Sequence, residues 1–217
     1  MLKEYKTVLK QSFVETEEKK SRFIASVKPV KTEDEALEFI NELKSKYWDA
    51  SHNVYSYHIG GKNIVQRFSD AGEPSGTAGL PILEVIKRME VQDLVVVVTR
   101  YFGGTLLGAA GLIRAYSKSA SLGIEAAVVV KRLQCRTISL IVEYTMFGKL
   151  QNFIASNGYV VKDVVYGQDV EIQVHIPVEQ VENFIGQVIE LSNDRIVTEV
   201  QGETYITVDN QGNLIKD

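Results

Sequence analysis

Only one of the 217 residues is cysteine, Cys135. A lone thiol excludes an internal disulfide and a cysteine-rich zinc site. No activating group stands beside it in the sequence, so an inert thiol is expected. Long apolar runs are also missing, and none approaches the roughly 18–20 residues that a membrane span needs. The first twenty residues are charged throughout and contain no secretory apolar segment. No internal repeat or low-complexity tract is found. These absences together lead us to expect a soluble, cytoplasmic chain that does not engage a membrane. Metal ligands are sparse as well. His52 and His58 lie six positions apart on one strand, roughly 20 Å at 3.3 Å per residue, too far to share an ion. No cofactor or metal is expected.

Apolar residues make up 45% of the chain, enough for ordinary packed cores. The formal net charge of −4 conceals an asymmetry. Residues 1–135 carry 19 Lys and Arg against 16 Asp and Glu, whereas residues 136–217 carry 5 against 12. A mildly basic half joined to an acidic half suggests two modules with different surfaces. We place them at 1–133 and 134–217.

The second module is read in order. Arg136–Tyr144 is β-branched and partly alternating, as in a strand. Residues 145–156 then place Met146, Leu150, Phe153 and Ile154 at helical spacing, and Asn157-Gly158 stops that helix. Tyr159–Tyr166 is a strand, and a turn at residues 167–169 leads into another. There Val170, Ile172, Val174 and Ile176 share one face. A helix after Pro177 carries Val181, Phe184, Ile185, Val188 and Ile189 on one side, and Arg195–Val208 closes the module as a strand. This β-α-β-β-α-β order is ferredoxin-like. The expected class is α+β in two domains, the first with a mixed sheet.

In the first module, Ser21–Val30 reads as a strand. A capping box at residues 32–35 opens a helix with Leu37, Ile40, Leu43 and Tyr47 inward. Residues 52–69 form a hairpin through Gly60-Gly61. Residues 70–79 are a loop, followed by a short helix with Pro81 in its first turn. Residues 93–99 are a continuous apolar strand, buried on both faces.

That strand empties into TRYFGGTLLGAAGLIRAYSKSA, Thr99 to Ala120. Gly103 and Gly108 have P-loop spacing, but Ala109-Ala110 occupy the places of the required Lys and Ser/Thr. Thr105 also breaks the dinucleotide fingerprint. Nucleotide hydrolysis and dinucleotide binding are therefore rejected on these residues. A weaker reading survives. Loop N–H groups and a helix start attract anions. Gly103 and Gly104 precede a helix on which Gly111, Arg114 and Lys118 share a face, with Leu112, Ile113, Tyr116 and Ala120 buried. A second glycine loop, Arg67–Gly79, carries Ser75, Gly76 and Thr77. If the two loops meet, Arg67, Arg100 and Arg114 would line one groove suited to a sugar–phosphate chain. Tyr101 and Phe102 are candidates for stacking on bases. Asp70 and Glu73, with Ser75, are the candidates for acid–base chemistry or a Mg²⁺ site. The competing bland readings are tight packing of small residues and a loop folded by its own side chains.

The segments KSRFIA (residues 20–25), HNVYSYHIG (52–60), RFSDAGEPSGTAGLPIL (67–83) and VVVVTRYFGGTLLGAAGLIRAYSKSA (95–120) resemble the IMPACT family, called YigZ-like in bacteria. The resemblance extends over nearly the whole chain. It implies a first domain similar to a ribosomal-protein β-α fold and a second similar to a ferredoxin-like domain of elongation factor G. Eukaryotic relatives regulate translation in amino-acid starvation. They also carry an RWD domain with no counterpart in this sequence, so their partner competition is not carried over. The family has been linked to peptidase activity, but no metal-ligand set here supports that. The resemblance supplies no settled catalytic residue. The expected function is a non-catalytic RNA- or ribosome-associated protein acting in translation or its regulation. The alternatives are a protein-interaction module using the acidic second domain and an enzyme for a small phosphorylated or peptide substrate.

Overall fold

A computed structural model describes residues 3–61, 63–209 and 211–215. The chain divides into two compact units. Tyr5–Lys131 form the first; Arg132 onward, with Lys3 and Glu4, form the second.

The first unit is built on a five-stranded sheet of β2 (Ser12–Glu18), β3 (Ser21–Pro29), β6 (Leu94–Tyr101), β4 (His52–Ile59) and β5 (Val65–Ser69), in that spatial order. Every one of these pairings is antiparallel, whereas the sequence reading expects a mixed sheet. The reason lies in the crossover. Helix α1 (Glu33–Lys46) carries the chain from β3 to β4, which run the same way, and β6 inserts between them.

Strand β6 runs through the middle of two cores. Leu94, Val96 and Val98 face α2 (Gly79–Arg88) and α3 (Gly108–Ala126), while Val95 and Val97 face α1. All five are fully buried. At about 2 kcal/mol each, they contribute roughly 10 kcal/mol of hydrophobic stabilisation. Helix α1 starts where the capping box predicts, with Thr32 Oγ1 accepting from the Glu35 N–H. Its buried stripe is Ala36, Phe39, Ile40 and Leu43, and the expected Leu37 is exposed. In α3, Ala115 takes the inward place expected of Ile113, which lies at the surface. Lys62, at the β4–β5 turn, falls outside the described residues.

The second unit has the expected order: β7 (Val129–Val142), α4 (Tyr144–Ser156), β8 (Val160–Tyr166), β9 (Val170–Pro177), α5 (Val181–Ser192) and β10 (Val197–Val208). Strand β7 pairs with β9 and β10, and β9 with β8, which is the ferredoxin-like arrangement. A further strand that the sequence reading does not expect, β1 (Glu4–Val8), precedes β2. The alternating residues Val170, Ile172, Val174 and Ile176 all enter the core. Burial pushes the Cys135 thiol up to about 11, as expected for an inert group. Among the described residues, no helix is long and apolar enough to cross a membrane.

His58 on β4 donates from Nδ1 to the Val91 carbonyl, and its Nε2 is buried without a partner. Burial lowers its pKa below the ordinary 6.5. The unfolded chain therefore takes up a proton first as pH falls. His58 thus contributes stability above pH 6.5 that is lost on acidification. Urea unfolding of the His58→Asn variant should show a flatter decline between pH 7 and 5 than the parent; an identical decline would refute this.

Candidate functional site

The apolar face of β6 ends on a charge. Arg100 continues the line Leu94, Val96, Val98 and is only 5% exposed. Its cross-strand neighbours are Phe23 on β3 and His52 on β4. A buried guanidinium must be paired. Arg100 Nη1 donates to Glu73 Oε1 at 2.7 Å, and Nη2 donates to Ser21 Oγ at 3.3 Å. Tyr116 of α3 donates its hydroxyl to the same Glu73 oxygen at 2.7 Å. Burial, and next the bond to Glu73, raise the Tyr116 pKa, so it stays a donor. His52 Nε2 stands 3.8 Å from Glu73 Oε1, with its Nδ1 on the Ala71 carbonyl at 3.0 Å. Two strands, one loop and one helix are thus tied to one carboxylate.

The loop of residues 70–78 satisfies itself. Asp70 Oδ2 accepts from the Gly76 N–H, and Oδ1 accepts from Ala78 and Gly79. Helix α2 has no capping side chain at Ala78, and Asp70 supplies one from eight residues upstream. Thr77 turns its hydroxyl onto the Pro74 carbonyl. Ser75 alone of the three small residues is exposed. The N–H groups of Gly76, Ala78 and Gly79 are therefore occupied by the chain's own carboxylate.

The glycines of the second loop do different work. Gly103 gives its N–H to Ser21 and packs so closely that a Cβ would sit 2.0 Å from the Lys20 carbonyl carbon. Gly104 has a positive φ of 80° and open space around it. Beyond them, Gly111, Arg114 and Lys118 line a cleft of about 260 Å³ with Leu107, Ala115, Lys19 and Glu18. Among the described residues, no carboxylate pairs with Lys19, Arg114 or Lys118. On the other side of the same helix start lies a cleft of about 380 Å³. Its walls are Pro74, Phe102, Leu106, Leu107 and Leu112, and His52, Glu73 and Arg100 also line it. Leu107 borders both clefts.

The three arginines do not share one groove. Arg67 is opposite Tyr57, on the α1 face of the sheet, and lies 3.9 Å from Glu33. Arg100 faces the other way and is neutralised by Glu73. Only Arg114 lines the cationic cleft. Lys19, Lys118 and the exposed Leu106 complete the two clefts, and of these only Lys118 was singled out from sequence. The adjacent leucines of a glycine loop and the lysines of a β-turn were the signals available. Asp70 and Glu73 both make structural bonds, Asp70 to N–H groups of its own loop and Glu73 to Arg100 and Tyr116. Among the described residues, no group of three or more His, Cys, Asp and Glu could hold a metal ion.

Comparison with known proteins follows the same division of the chain. A family model described as the Impact N-terminal domain matches residues 19–124, and a domain of unknown function, DUF1949, matches residues 140–195. The IMPACT family member YvyE of Bacillus subtilis (strain 168) is 42% identical over 195 residues, 90% of each chain. The IMPACT family member YigZ of Escherichia coli (strain K12) is 28% identical over 176 residues, 80% of this chain and 86% of that one. A crystal structure of a hypothetical protein shares the fold, with a TM-score of 0.58 and 24% identity over 93% of this chain and 99% of the other.

Replacing Asp70 by Ala removes a charged acceptor from three N–H groups and should cost about 2–3 kcal/mol in urea unfolding. Ser75→Ala, at the exposed tip, should stay within about 0.5 kcal/mol of the parent. Equal effects of the two would contradict the structural role assigned to Asp70.

Proposed function

The chain belongs to the IMPACT family, and from that premise we propose that it is a non-catalytic protein of translation or its regulation that associates with RNA or the ribosome. The cationic cleft on α3 carries this reading. Lys19, Arg114 and Lys118 surround Gly111, where the bare backbone admits close approach, and Glu18 is the one acid in the lining. Unpaired cations on an exposed face suit the phosphates of a nucleic-acid chain, which set affinity and position. The groove of the sequence reading is thereby narrowed: Gly111, Arg114 and Lys118 remain in it, and Arg67, Arg100 and the residues 75–77 leave it.

A non-catalytic reading is favoured by Asp70, whose two oxygens are filled by N–H groups of its own loop, and by Glu73 Oε1, which holds Arg100 and Tyr116.

Binding of a fluorescent single-stranded RNA should weaken steeply with added salt. The double variant Arg114→Glu/Lys118→Glu should lower affinity at least about tenfold at low salt. It should also flatten the slope of log K against log salt by about 1.4, roughly 0.7 for each lost phosphate contact. Unchanged binding in this variant, or binding insensitive to salt, would overturn the proposal.

A further inference from the structure

The larger cleft is chemically unlike its cationic neighbour, and its polar floor is incomplete. Glu73 gives Oε1 to Arg100 and Tyr116, while Oε2 accepts from no described donor. The residue is 8% exposed, so this acceptor is nearly enclosed. His52 has a fixed tautomer when neutral. A carbonyl can only accept, so the Nδ1 facing Ala71 O carries the proton and Nε2 is left as a bare acceptor. Nε2 and the Glu73 carboxylate stand side by side, 3.8 Å apart at the nearest oxygen, with no donor shared between them. Arg100, on the same floor, keeps a buried Nε–H without an acceptor.

Two adjacent acceptors call for a ligand with two adjacent donors. The walls call for a flat apolar body, since Phe102 and Leu106 are exposed beside Leu107 and Leu112. A cleft of about 380 Å³ is large enough for a small planar ring system. Leu107 lines both this cleft and the cationic one, so a ligand filling this cleft can extend an anionic tail toward Arg114 and Lys118. Guanine has that edge: its ring N–H and exocyclic amine are neighbouring donors. Adenine and cytosine offer one amine beside an acceptor, and uracil offers one ring N–H.

We propose that this cleft receives one unstacked guanine of a single-stranded RNA whose adjoining phosphates lie in the cationic cleft. The inference rests on the RNA-binding reading above and adds the base and its place. Unstacked bases of single strands are commonly read on their hydrogen-bonding edges while an apolar side chain covers the ring. Leu106 and Phe102 serve as the covering wall, and Glu73 with His52 reads the edge.

The test compares three labelled oligouridines by fluorescence anisotropy, carrying at one internal position a guanosine, an inosine or an abasic site. Guanosine should bind at least about tenfold tighter than the abasic strand, in the range found for base stacking and edge contacts. Inosine, which lacks the exocyclic amine, should fall between them. Leu106 is 82% exposed, so Leu106→Asp leaves the core intact. That variant, and the uncharged Leu106→Ser, should both erase the guanosine advantage, whereas Arg114→Glu should weaken all three. Equal, salt-sensitive binding of the three strands would overturn the guanine site and leave the phosphate cleft standing. Absence of binding by every strand would overturn both.

Discussion

The buried pair of Arg100 and Glu73 is the constraint on which the functional end of the first domain depends. A pair this enclosed is a poor source of net stability, because desolvating both charges offsets most of their attraction. Its effect is to fix geometry. Arg100 cannot be left alone at the end of an apolar strand, and that requirement pulls Glu73 inward. Glu73 in turn fixes the 70–78 loop against β6 and receives the Tyr116 hydroxyl, which locates α3. Ser21 completes the arrangement: it binds both Arg100 and the Gly103 N–H, so the β2–β3 turn is held against the glycine loop. The larger cleft is lined by members of this fastening, His52, Glu73 and Arg100, and the cationic cleft by the β2–β3 turn and the α3 helix that it locates. Loss of one partner would leave an uncompensated charge, an effect of about 3–5 kcal/mol, and would loosen the clefts with it.

Much of the architecture was legible because periodicity survives in single sequences. The βαββαβ order of the second domain, the capping box at Thr32 and the doubly buried run at Val95–Val98 all stand in the structure. Strand β2 was missed for a physical reason. It is an edge strand, paired among the described residues with β3 alone, and its Glu15, Glu17 and Glu18 mask the alternation of Ser12, Val14 and Thr16. Strand β1 is only five residues long, too short for a local pattern to announce it. In helix α3, Leu112, Ala115 and Tyr116 set the buried face, and Ile113, turned about 100° from Leu112, falls at the surface.

The candidate site shows what a sequence hides about charge. Residue types told us that Asp70, Glu73, Arg67 and Arg100 are special, yet the partners decide how. Asp70 fills the N–H groups of its own loop, so an apparent anion cradle is already occupied by a carboxylate. Arg67 and Arg100 part company through strand parity alone: one pairs beside Tyr57, the other extends the Val96–Val98 face. Arg114 and Lys118 remain available because they stand on the outer side of an amphipathic helix, the one cationic feature that helical spacing could place reliably. The turn lysine at position 19 meets them only through the fold.

The proposed contact with single-stranded RNA lies on one surface, the start of α3 with the β2–β3 turn. Photo-crosslinking with 4-thiouridine RNA, followed by mass spectrometry of the peptides, tests it most directly. The account predicts crosslinks on Phe102–Lys118 and around Lys19. Crosslinks confined to residues beyond 132, or to the α1 face around Arg67, would contradict it.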